Sequence, residues 1–121
     1  MTKKILIVDD NDLIVEVMSY ILTNNGYDVS SLSSGEMVIN EVNNTCPDLL
    51  ILDAMLPGMD GRDICRILKM DKATHNLPVI ICSAVDEIGS SLNQMGSPDD
   101  FLSKPFDMTV LLDKVEHQLA A

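Results

Sequence analysis

The chain alternates between short, tightly apolar runs and stretches with helical spacing. Lys4 to Val8 (KILIV) is apolar and rich in β-branched residues, the pattern of a strand buried on both faces, and it stops at Asp9-Asp10. From Asn11 to Asn25 the apolar positions Leu13, Ile14, Val17, Met18, Ile21 and Leu22 recur with helical period. Asn11 or Asp12 can cap that helix, and Asn24-Asn25-Gly26 ends it. Tyr27 to Leu32 roughly alternates and predicts a short edge strand. A second helix opens at Ser34, carries Met37, Val38, Glu41 and Val42, and ends before Cys46-Pro47.

Asp48 to Leu52 is the most apolar run, and it leads straight into Asp53. A loop from Asp53 to Asp60 holds a Pro-Gly turn. Gly61 to Met70 predicts a third helix, with Ile64, Ile67 and Leu68 inward and Arg62, Arg66 and Lys69 outward. Leu77 to Cys82 is a buried strand ending at Ser83. Residues 86–96 predict a short, weak helix. Asp100 to Ser103 is a last brief strand, stopped by Lys104-Pro105. Asp107 caps a final helix with Val110, Leu111, Leu112, Val115 and Leu119 available for one face.

Strand and helix thus alternate five times. Crossover connections follow, and with them a parallel sheet covered on both faces, a three-layer α/β sandwich. The order 2-1-3-4-5 is the one known for flavodoxin-like sheets of five strands. Ligands of such sheets bind outside the carboxyl ends of the strands where the order reverses, here between the first and third.

Composition adds limits. The 121 residues are expected to form one domain, 1–121, with one sizeable core. A net charge of −11 disfavours direct binding to nucleic acid or to an anionic membrane. No apolar run reaches membrane-spanning length, and MTKKILIVDD is not a signal peptide, so a cytoplasmic protein is expected. Cys46, Cys65 and Cys82 are an odd set without C-x-x-C spacing, which argues against disulfides and zinc. His75 and His117 read as surface residues.

The chemistry lies at the strand ends. The first strand ends in Asp9 and Asp10, the third in Asp53, the fourth in Ser83 and the fifth in Lys104. Three carboxylates in one pocket repel unless a cation joins them, and an all-oxygen set suits magnesium. Lysine and serine suit the oxygens of a phosphoryl group. A carboxylate nucleophile that forms an aspartyl-phosphate at Asp53 completes the set.

At these residues the chain resembles the receiver domain of two-component response regulators, of the chemotaxis-regulator type. The motifs are ILIVDD, PDLLILDAMLPGMDG, Cys82-Ser83-Ala84 and DDFLSKPF, and the resemblance extends over essentially the whole chain. The resemblance implies that Asp53 is the phosphoacceptor and that Asp9 and Asp10 hold magnesium with it, with the carbonyl of Met55 as a further ligand. It implies that Ser83 and Lys104 contact the phosphoryl oxygens, that Phe101 is the switch aromatic and that Lys104-Pro105 is a cis bond. The implied partners are a sensor histidine kinase or phosphotransfer protein and a downstream effector protein or domain. The chain is then a switch that promotes its own phosphorylation and hydrolysis, not an enzyme acting on a separate substrate. The segment MGSPDDF departs from the family pattern, which has Gly-Ala before the last strand.

A phosphate-independent interaction module on the same fold is the first alternative, disfavoured by the intact acids and lysine. A phosphatase of the haloacid dehalogenase type wants a second acid where this chain has Met55. A flavin carrier wants more than 3% aromatic residues.

Overall fold

In the computed structural model, residues 2–84 and 97–120 are described. The elements run β1 (Lys4–Val8), α1 (Asp12–Asn24), β2 (Asp28–Leu32), α2 (Val38–Thr45) and β3 (Leu49–Asp53). Two short strands follow, β4 (Met55–Leu56) and β5 (Met59–Asp60), then α3 (Gly61–Met70), β6 (Val79–Ala84), β7 (Asp100–Lys104) and α4 (Met108–Leu119). The five longer strands form one sheet in the order β2-β1-β3-β6-β7, and all its pairings are parallel. Leaving out the two-residue strands, this is the expected 2-1-3-4-5 order. The expected helix at 86–96 lies outside the described residues.

Alternation along the strands divides the core in two, because successive side chains point to opposite faces. Ile5, Ile7, Leu49, Ile51, Ile80, Cys82 and Leu102 pack with Met18, Ile21 and Leu22 of α1 and with Leu111 and Val115 of α4. Leu6, Val8, Leu50, Leu52, Val79, Ile81 and Phe101 pack with Val38 and Val42 of α2 and with Ile64, Cys65 and Leu68 of α3. Every residue of β3 is buried, which explains the apolar run Leu49 to Leu52 that leads into Asp53.

Several boundaries differ from the sequence expectation, each for a local reason. Helix α2 begins at Val38 and not at Ser34. Gly35 instead packs against α3, where a Cβ on it would lie 2.7 Å from Ile64 Cδ1. Strand β6 runs from Val79 to Ala84, two residues later than expected. The Leu77 amide closes a turn onto the Thr74 carbonyl, and Pro78 has no amide to give a ladder. The far end extends because Ala84 pairs with Lys104 in β7. Within the 53–60 loop, Met55 pairs with Asp60 and Leu56 with Met59 in an antiparallel hairpin around Pro57-Gly58, with Gly58 at φ 73°.

Some side chains also face differently. Leu13 and Val17, expected in the core, are exposed at 68% and 41%. Helix α1 turns its 18-21-22 face to the sheet, and the stripe of Leu13, Val17 and Tyr20 faces solvent. Met37, Ile67 and Val110 are likewise exposed. Lys69, expected outward, reaches across the sheet's lower end. Its ammonium donates to Asp99 Oδ2 at 2.6 Å and to the Leu77 carbonyl at 2.8 Å. The same Asp99 oxygen accepts the Val79 amide at 2.8 Å, so one acid ties together α3 and the start of β6.

Candidate functional site

The register of the sheet assembles the site. Val8 is paired with Leu52, so the next residues, Asp9 and Asp53, leave adjacent strands side by side. Asp53 is paired with Cys82, which puts Ser83 one step further on the neighbouring strand. Ser83 is in turn opposite Ser103, and Lys104 follows it. Residues separated by almost the whole chain thereby share one end of the sheet. Asp9, Asp53 and Ser83 are three of the four buried polar residues among the described residues; the fourth, Thr74, lies after α3.

The three acids lie close together. One carboxylate oxygen from each of Asp9, Asp10 and Asp53 falls within 4.8 Å of the others, with Asp10 exposed and the other two buried. Lys104 stands between the buried pair. Its Nζ donates to Asp9 Oδ2 at 3.0 Å and lies 3.3 Å from Asp53 Oδ1. The Asn11 amide donates to Asp9 Oδ1 at 2.9 Å, and the Met55 amide donates to Asp53 Oδ1 at 3.2 Å. Lys104 and Met55 both meet Asp53 through Oδ1, not Oδ2.

The electrostatics follow from this crowding. Burial pushes the Asp53 carboxyl up from its ordinary value; the Met55 amide opposes that, the Asp9 charge adds to it and Lys104 opposes it, with a net rise. For Lys104, burial works against the ammonium, but the hydrogen bond and charge of Asp9, then those of Asp53, outweigh it and raise its pKa. Lysine is therefore the present counter-charge for two acids, which leaves this end of the sheet net negative.

That surplus is what a divalent cation relieves. All three candidate donors are carboxylate oxygens, the preference of magnesium. Cys82 offers no competing thiolate, because burial pushes its thiol up to about 12. The residues present therefore fit the ion.

Two neighbouring features hold the Asp53 backbone in place. The Gly61 amide donates to the Ala54 carbonyl at 2.9 Å, and the Ala54 amide donates to the Cys82 carbonyl at 2.9 Å. A Cβ on Gly61 would collide with the Asp53 carbonyl and come within 3.1 Å of Ala54 Cα. The sequence marks Gly61 only as the start of the third helix and does not reveal this contact. Nor does it show the Asn11 amide, whose role no side-chain pattern reveals. Asp60 caps α3 by accepting the Arg62 amide at 2.8 Å, and its side-chain bond to Arg62 holds its carboxyl below the usual range.

Phe101 is buried on the α2–α3 face, opposite Ile81 of β6. The Lys104–Pro105 bond is cis. On the other side of Lys104, a groove of about 230 Å³ is lined by Leu13, Ile14, Val17, Lys104, Pro105 and Phe106.

The fold and the strand-end placement of the site are those of flavodoxin-like α/β proteins. The family model of the response regulator receiver domain matches residues 5–116, and the chain belongs to that family. It is 37% identical over 116 residues to the response regulator PleD of Caulobacter vibrioides, covering 95% of this chain but 26% of PleD. The chain thus spans about a quarter of the length of that relative. Among solved structures it is similar to the receiver domain of a signal transduction histidine kinase from Syntrophus aciditrophicus. The TM-score is 0.88 at 33% identity, covering 98% of this chain and 91% of that one. The receiver domain of the sensor histidine kinase PA1611 from Pseudomonas aeruginosa has the same fold. Its TM-score is 0.87 at 24% identity, with full coverage of both chains, and it was solved with a magnesium ion coordinated in its active site cleft. Receivers are switches of two-component signalling, working between histidine kinases and downstream effectors.

Proposed function

We propose that the chain, as a domain spanning 1–121, accepts a phosphoryl group on Asp53 from the phosphohistidine of a sensor histidine kinase or phosphotransfer protein in the cytoplasm. The observation that carries this is the Asp53 carboxylate, buried, 3.3 Å from the Lys104 ammonium and clustered with Asp9 and Asp10. An oxygen of Asp53 attacks phosphorus, the P–N bond to the imidazole breaks, and the imidazole nitrogen takes up a proton. Asp9, Asp10, Asp53 and the Met55 carbonyl would hold magnesium, and the ion would supply positive charge to the transferred oxygens. Lys104 turns from its carboxylates to one phosphoryl oxygen, and the Ser83 hydroxyl donates to another. Hydrolysis later returns the carboxylate. The product is a changed surface, involving Ser83 and Phe101, that an effector protein or domain reads; the chain turns over no separate substrate.

The groove beside Lys104 supports a place for the phosphodonor. The exposed stripe of Leu13, Val17 and Tyr20 runs along α1, flanked by the exposed acids Asp10, Asp12 and Glu16. An amphipathic helix with an apolar face and basic flanks matches that surface. Seated there, it brings its histidine to the lysine that touches Asp53.

Incubation with acetyl phosphate and magnesium tests the reading. Intact-mass analysis should show one phosphoryl group, absent without magnesium and absent in Asp53→Asn. Stable labelling of Asp53→Asn would refute the assignment.

A further inference from the structure

Met55 has a role beyond its carbonyl. Its amide is fixed 3.2 Å from Asp53 Oδ1, and its backbone is pinned by pairing with Asp60. The side chain is nevertheless 65% exposed, whereas Leu56 beside it is buried. A solvent-accessible thioether therefore leaves the backbone next to the reacting carboxylate. Met37, Met70 and Met108 are also exposed, but they stand at the ends of α2, α3 and α4. Met18 is fully buried in the core.

We infer that Met55 is a reversible oxidation site, and that its sulfoxide shortens the life of the aspartyl-phosphate on Asp53. The inference rests on the phosphoacceptor reading of Asp53. The oxidant is a hydroperoxide. A sulfur lone pair attacks the terminal peroxide oxygen, an S–O bond forms and the O–O bond breaks. The departing hydroxide or alkoxide takes a proton and leaves as water or alcohol. Sulfur is oxidised and the peroxide is reduced.

The chemical consequence lies in hydrogen bonding. A thioether is a weak acceptor and cannot orient a water. A sulfoxide oxygen is polar and accepts strongly. At the rim of the phosphoryl site it holds a water near phosphorus, as a side-chain acceptor does in general base catalysis. An oxidising burst thus erases the signal without any change in the kinase.

The experiment treats the whole protein with hydrogen peroxide and maps oxidation by peptide mass spectrometry. Treated and untreated samples are then phosphorylated with acetyl phosphate and magnesium, the donor is removed, and phosphoryl loss is timed. Met55 should oxidise faster than Met18, and decay should quicken by roughly threefold or more. Methionine sulfoxide reductases should restore the slow decay. In Met55→Leu, which keeps Cys46 and the other exposed methionines, peroxide should leave the decay rate unaltered. Unchanged decay in wild type with Met55 oxidised, or the same acceleration in Met55→Leu, overturns the inference alone. Failure of the untreated protein to take up a phosphoryl group overturns the reading of Asp53 and this inference with it.

Discussion

Lys104 is held by Asp9, not only by Asp53: its ammonium is 3.0 Å from the first carboxylate and 3.3 Å from the second. One lysine bridges two buried acids from two strands, so its removal leaves both without their shared cation. Lys104→Met should lower stability in the absence of divalent ions by about 1–3 kcal/mol at neutral pH, less than for a fully buried pair because the lysine is partly exposed. Urea denaturation measures the loss. Added magnesium should recover more stability in the variant than in wild type, because it meets a less neutralised set of acids.

The raised Asp53 pKa has a definite sign in stability. A carboxyl that holds its proton more tightly when folded contributes most below its unfolded pKa of about 3.9, and that contribution is lost as pH rises through the higher folded value. At pH 7 Asp53 therefore opposes folding of the metal-free chain. Asp53→Asn should raise the thermal midpoint at pH 7 without magnesium, and the advantage should vanish near pH 3.5. An advantage that persisted at pH 3.5 would point to packing, not charge.

Gly61 is required by space. Its missing Cβ lets the start of α3 lie against the Asp53 carbonyl. Gly61→Ala must move that carbonyl or the helix. The expected cost is about 1–3 kcal/mol. Phosphoryl uptake from acetyl phosphate should slow by about tenfold or more, because a small misplacement of a nucleophile is amplified in rate. Uptake at the wild-type rate would show that the helix yields instead of the strand.

The clamp at the opposite end of the sheet offers a contrast. Lys69→Met deprives Asp99 of its 2.6 Å partner and the Leu77 carbonyl of its donor. A loss of about 1–2 kcal/mol is expected, with phosphoryl uptake unaffected. A double-mutant cycle with Asp99→Asn should show coupling, since the two side chains are in direct contact.

Legibility in the sequence tracked how local the cause was. Strands β1 and β3 were plain because burial on both faces demands an apolar run, Ile5 to Val8 in one and Leu49 to Leu52 in the other. The five strand-end residues were legible because topology alone carries them to one end of the sheet. What stayed hidden depends on contacts across the chain. The late start of α2 comes from Gly35 meeting Ile64, a pair remote in sequence. Lys69 read as an outward helical cation because its acceptors belong to segments after the helix. Leu13 and Val17 matched a helical period, yet period fixes a face without saying how wide the buried arc is. Their exposure is a fact of how α1 is rotated on the sheet.

The order β2-β1-β3-β6-β7 has a consequence for a chain still being made. Asp9 emerges from the ribosome early and Asp53 midway, but their bridging ammonium is ninety-five residues beyond Asp9. Until β7 is added beside β6, the two acids face each other without it. A nascent or truncated product that stops short of Lys104 carries that repulsion uncompensated at its centre. The last strand to arrive therefore supplies the ammonium that sits between the two acids in the middle of the sheet.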